Sequence, residues 1–103
     1  KNLFEDKASE CEMVVQECWF QIYQKSSLHT WHVHGFTHFA NVLYVELPNS
    51  ALKTELYNTE YPEITEGTII SFPAFMLHRS PCNNFNSPKT VVAWNHTYRN
   101  IQL

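Results

Sequence analysis

The sequence predicts an all-β fold, a jelly-roll or small barrel of seven or eight short antiparallel strands, and three observations carry that expectation. β-Branched and aromatic residues gather in short runs, several of these runs alternate with period two, and Pro, Asn, Ser or Gly separates each run from the next. No stretch keeps a helical period for any length. The hydrophobic fraction of 44% and the aromatic fraction of 15% supply one core and argue against disorder, and 103 residues leave room for a single domain, 1–103.

Residues 1–11 mix charge with little periodicity and read as a frayed start or a short helical turn. From Glu12 to Gln24, β-branched and aromatic residues such as Val14, Val15, Trp19, Phe20 and Ile22 predict one long strand or two joined by a bulge. Lys25-Ser26-Ser27 is a turn. Leu28 to His34 is a second strand stopped by Gly35, and Ala40 to Leu47 a third, closed by Pro48-Asn49-Ser50. Leu52 to Tyr57 is a short edge strand, and Pro62 excludes a central strand from the polar stretch that follows. Gly67 permits a tight turn into a strand over Thr68 to Phe72. Pro73 to Met76 is a bend, Leu77 to Ser80 starts another strand, and residues 83–88 form a loop. Lys89 to Tyr98 is the last strand, with Lys89, Val91, Ala93 and Asn95 on one face and Thr90, Val92, Trp94 and His96 on the other. With only two glycines, the turns must rely on Asn, Pro and Ser.

Composition narrows the function classes. Net charge is -3 with histidines neutral, and the seven Lys and Arg are scattered, so neither nucleic acid nor an anionic membrane is an expected partner. No apolar run approaches the roughly 20 residues that span a bilayer, and the amino end lacks a signal pattern. Cys11, Cys18 and Cys82 form an odd set without CxxC spacing, which points to a reducing, cytoplasmic compartment rather than a disulfide framework. Asn95-His96-Thr97 is read as a chance sequon.

The chemistry centres on Trp31-His32-Val33-His34-Gly35. In an extended chain the two-residue period sends the His32 and His34 side chains to one face, close enough to grip one metal ion. A third ligand must come from far away, and His78, just beyond the bend that follows the Thr68 to Phe72 strand, is the candidate. Two histidines on one strand and one on another make a facial set with positions left open for substrate and oxygen. His38 is a substitute ligand if the loop after Gly35 folds back. His29 and His96 are assigned to structure or surface, Arg79 to the surface by its parity, and Trp19, Trp94, Phe72 and Phe75 to the core.

With those residues in place, the chain resembles the double-stranded β-helix superfamily, the cupins and the 2-oxoglutarate/Fe(II)-dependent oxygenases, and more closely a group of the latter. That group's pattern runs through Cys18 to Tyr23, His32-Val33-His34-Gly35 and Asn41 to Val45, then Glu66 to Pro73, His78, Pro81, Lys89 and Trp94-Asn95. The resemblance implies a cupin-like jelly-roll holding Fe(II) through His32, His34 and His78, with 2-oxoglutarate as co-substrate and hydroxylation of a C–H bond as the reaction. It implies Lys89 as the anchor of the far carboxylate, and it makes Tyr44 and Asn95 further cofactor-binding candidates. Two departures stand out: these oxygenases commonly place a carboxylate where His34 stands, and Arg where Lys89 stands. A three-histidine cupin that uses no 2-oxoglutarate and a non-enzymatic jelly-roll module are the alternatives. The substrate, small molecule or peptide, and the oligomeric state are left open.

Overall fold

The structure, a computed structural model, describes residues 11–100. The start expected for residues 1–11 therefore lies outside the described residues, save Cys11. Among the described residues there are seven strands: β1 (Cys11–Tyr23), β2 (His29–His32), β3 (Phe39–Glu46), β4 (Glu55–Leu56), β5 (Ile69–Pro73), β6 (His78–Ser80) and β7 (Lys89–Asn100). The fold is all-β, two antiparallel sheets with strand orders β1-β7-β3-β5 and β2-β6-β4. Of the two alternatives for this stretch, one long strand or two joined by a bulge, β1 combines both features: it is one strand, with a register shift between Val15 and Glu17. Beyond the pairing of Phe39 with His96 only β1 and β7 continue, a two-stranded ribbon that helps extend the molecule to 52 Å along its longest axis.

The alternation of β7 is the one predicted. Lys89, Val91, Ala93 and Asn95 are all buried. Tyr23, Tyr44, Leu47, Leu52 and Val91 form the core, and Val42, Ile64 and Ile70 pack against it. Turn chemistry follows from the shortage of glycine. Ser26 and Asn58 take positive φ of 73° and 53°, and Gly67 turns at 87°. Phe36 also sits at φ 60°, a conformation no signal in its residue type would suggest. Asn83, fully buried, ties two turns together. Its amide donates to the Tyr23 and Ser87 carbonyls, and its Oδ1 accepts from Phe85 N–H.

Several expectations need correction. β2 stops at His32, not His34, because beyond it the partner is no longer β6: the His34 N–H instead donates to the Ala74 carbonyl in the bend after β5. The edge strand expected over Leu52 to Tyr57 shrinks to Glu55–Leu56, because Asn49 caps a 3₁₀ turn, Ser50–Leu52, by accepting from Ala51 N–H. Trp19 and Phe75 do not join the core. β1 is the outer strand of its sheet and leaves Trp19 36% exposed, and Phe75 stands 79% exposed in the bend; Phe72 alone of the four is fully buried, while Trp94 is half-buried.

Candidate metal centre

The two sheets enclose a cavity of about 60 Å³, with β1, β7 and β3 as one wall and β2 and β6 as the other. His32, His34 and His78 meet at one end of it. One nitrogen from each lies within 4.8 Å of the others, and His34 Nε2 is 3.1 Å from His78 Nε2. Nitrogens about 2.1 Å from a shared ion, at roughly 90–110° from one another, stand about 3.0–3.4 Å apart, so His34 and His78 already stand at ligand spacing and a small closing movement of His32 would complete a set that could hold a metal.

Local pairing explains the convergence. β2 and β6 are antiparallel with His32 opposite His78, and the two-residue step carries His34 to the same side as His32. The His32 Nδ1–H donates to the Thr30 carbonyl at 2.6 Å and the His78 Nδ1–H to the Met76 carbonyl at 2.8 Å. Since a carbonyl oxygen only accepts, each of these rings in its neutral form is left with its Nε2 lone pair free to ligate. Burial pushes His78 down to about 4, aided by the neighbouring histidines and opposed by the Met76 hydrogen bond. His34 is lowered too, chiefly by burial and then by His32. The buried rings are thus neutral, as ligation requires. Phe72 closes on His78 edge-on at 4.6 Å, and Trp19 stacks over His34 at 6.1 Å from the exposed side.

Lys89 lies along the same cavity and is 1% exposed. Its ammonium donates to the Leu52 carbonyl and to Ser80 Oγ, each at 2.5 Å, and lies 4.7 Å from the Tyr23 ring. Among the described residues no carboxylate bridges it. Burial pushes it down to about 8, with the charge of Glu55 acting the other way. Tyr44 is placed differently from its sequence assignment as a donor to a bound carboxylate. Its hydroxyl donates to Thr54 Oγ1 at 2.7 Å and accepts from Thr54 N–H at 2.8 Å, so both directions are taken. Asn95 does line the cavity.

The remaining histidines sort clearly. His38 stays out of the cluster, its Nδ1 accepting from Tyr98 N–H, and His96 Nδ1 accepts from the buried Asn41 amide. His29 was missed. Counting by twos puts it opposite His32, but the irregularity between them in β2 restores it to the cavity side, where it stacks on His32 at 3.9 Å. Arg79 faces outward as its parity predicts, bonded twice to Glu55 and laid over Trp31.

No family model matches the chain, and neither does any curated protein sequence. Solved structures do. A 2OG-Fe(II) oxygenase family oxidoreductase from Burkholderia pseudomallei matches 84% of this chain with a TM-score of 0.73 at 15% identity. An RmlC-like cupin protein from Desulfovibrio desulfuricans matches 85% of it, and 83% of its own length, with a TM-score of 0.58 at 10% identity. The fold is cupin-like. At these identities the likeness is one of architecture, and the chain spans 46% of the oxygenase's length.

Proposed function

We propose that this protein is an Fe(II)- and 2-oxoglutarate-dependent dioxygenase that hydroxylates a C–H bond of a small molecule or peptide. The observation that carries the reading is one cavity lined both by three convergent imidazoles and by a buried cation that, among the described residues, has no salt-bridge partner. Lys89 reaches Ser80, and Ser80 lies two residues along β6 from His78, about 6.6 Å by strand rise. A short dicarboxylate suits that interval. One carboxylate would meet the buried Lys89 ammonium, whose hydrogen-bond partners among the described residues are two neutral oxygens.

His32, His34 and His78 would hold the metal through neutral imidazole nitrogens, two of them aimed by backbone carbonyls. Bound there, Fe(II) supplies oxygen activation coupled to oxidative decarboxylation of 2-oxoglutarate. Phe72 packs edge-on against His78 and Trp19 lies over His34, so apolar rings flank the donor cluster. The small, partly open volume favours a compact co-substrate inside and the oxidised substrate at the rim. The test is succinate formation from 2-oxoglutarate by protein supplied with Fe(II) and ascorbate, lost in His78→Ala together with bound iron.

One observation favours a second reading. Three neutral imidazoles, with no carboxylate among them, leave the metal more positive than two imidazoles and a carboxylate would, a donor set that also suits a cupin enzyme using no 2-oxoglutarate. A Lys89→Ala protein that turns over as wild type without 2-oxoglutarate would select that reading.

A further inference from the structure

Strand register gathers apolar side chains on the side of the larger sheet that faces away from the cavity. Phe20 pairs with Val92, Val92 with Leu43 and Leu43 with Ile69, so four apolar side chains stand in one row across β1, β7, β3 and β5. Next to them along the strands, Trp19, Val91, Val42 and Ile70 face the cavity or the core, so the row lies on the outer face. Phe20 and Ile69, at its two ends, are 70% and 54% exposed. The face continues onto the two-stranded ribbon. There Val15 pairs with His96 and Met13 with Tyr98, and Tyr98 meets the His96 and Phe39 rings edge-on at 5.2 and 6.3 Å. Charge is kept off it. The charged residues of these four strands are Glu12, Glu17, Glu46, Lys89 and Arg99. Register turns Glu12, Glu17, Lys89 and Arg99 to the other side and leaves Glu46, opposite Thr90 at one end, as the charge on the outer face. An antiparallel sheet with one face on a core ordinarily presents polar side chains on the other. This one presents a contiguous apolar surface, the mark of a contact with another macromolecule.

We propose that this outer face is a dimer interface whose occupant is a second copy of the same chain, packed face to face across a two-fold axis. The area suits a second copy. At ~3.3 Å per residue and ~4.8 Å between strands the four strands offer ~600 Å² in plan, and side-chain relief brings this near the ~800 Å² per partner of a stable interface. The charge suits it too. The chain carries a net charge of -3, yet with Glu46 at the margin two copies meet over the row without like-charge contact, and the row holds nothing that would select a charged partner. The ribbon gains as well. A two-stranded ribbon is marginal alone, and Met13, Val15 and Tyr98 lie exposed on this side of it, where a second copy would cover them. The inference needs neither the metal nor the proposed activity.

Sedimentation of the wild-type chain should show a species of twice 12.1 kDa that dissociates on dilution. Phe20→Lys should weaken dimerisation about 100-fold or more, because a two-fold contact carries the substitution twice, and Ile69→Lys should act in the same direction. Phe75→Lys, which removes an exposed ring from the bend outside this face, should dimerise as wild type. Cys18 lies on the face opposite Trp94, so its thiol should be alkylated more slowly in the wild-type dimer than in Phe20→Lys. A wild-type chain that is monomeric at ~100 µM overturns the proposal and leaves the face to a different partner. A dimer that Phe20→Lys leaves intact overturns it too, since the two copies would be joined elsewhere. The oligomeric state and the Cys18 reactivity of the wild-type chain, compared at high and low concentration, decide the matter even if a lysine variant fails to fold.

Discussion

At one end of the cavity, His34 and His78 are neutral rings that the fold has already prepared for a cation; at the other, Lys89 is a cation that, among the described residues, is held by the Leu52 and Ser80 oxygens and the Tyr23 ring. Burial lowers the pKa of bases at both ends, yet its effect on stability falls in different pH ranges. His78, shifted from 6.5 to about 4, carries no penalty at neutral pH because its charge is absent there in both folded and unfolded chains. Lys89, shifted from 10.5 to about 8, carries its full penalty at neutral pH. The difference teaches which end is finished by the protein and which waits for a ligand. The metal end is relaxed without its guest. The ammonium end stores the cost of an uncompensated buried charge, which an anion would relieve.

The contrast is broken most severely at the metal end. His78→Ala should remove stoichiometric metal binding and all turnover, read by metal analysis and succinate release; retained metal would show that His78 is not a ligand. At the other end Lys89→Met should leave metal content unchanged and weaken 2-oxoglutarate binding at least ~30-fold, about 2 kcal/mol, in a calorimetric titration. The same change should stabilise the ligand-free fold by ~1–3 kcal/mol, because a buried unpaired ammonium is replaced by an apolar chain of similar length. A destabilised Lys89→Met protein would mean that the two hydrogen bonds outweigh the desolvation.

Smaller effects come from pH. A base lowered by folding binds its proton more readily in the unfolded chain, so stability rises with pH between the folded and unfolded values. The stability of the metal-free protein to denaturant should therefore fall as pH drops from 6.5 toward 4, the His78 window, and rise from pH 8 toward 10, the Lys89 window. Above 10 the trend should reverse, since burial raises Tyr23, Tyr44 and Tyr61 and unfolded tyrosines ionise first. Lys89→Met should flatten the alkaline rise and leave the acid limb unchanged. Smallest of all is the outward pair on β6: Arg79→Ala should cost at most about 1 kcal/mol, because Arg79 and Glu55 are both some 40% exposed.

The sequence made legible what is local. Period two in β7 revealed its inward face, and the same period placed His32 and His34 together, since side-chain alternation needs no knowledge of the sheet. His78 could be found because a bend and an apolar strand precede it. What stayed hidden depends on partners far along the chain. The cavity-side position of His29 needed the irregular pairing of β2 with β6, and the exposure of Trp19 needed the outer place of β1 in the strand order. Tyr44 looked available until the turn after Leu52 brought Thr54 over its hydroxyl. The oxygens around Lys89 come from a 3₁₀ turn and from β6, neither adjacent to it in sequence.

The most direct test of the three-imidazole centre is a crystal of protein grown anaerobically with Fe(II), measured at the iron absorption edge. The account predicts one anomalous peak about 2.1 Å from the Nε2 atoms of His32, His34 and His78. A peak elsewhere, or a His78 ring turned away from the other two, would contradict it.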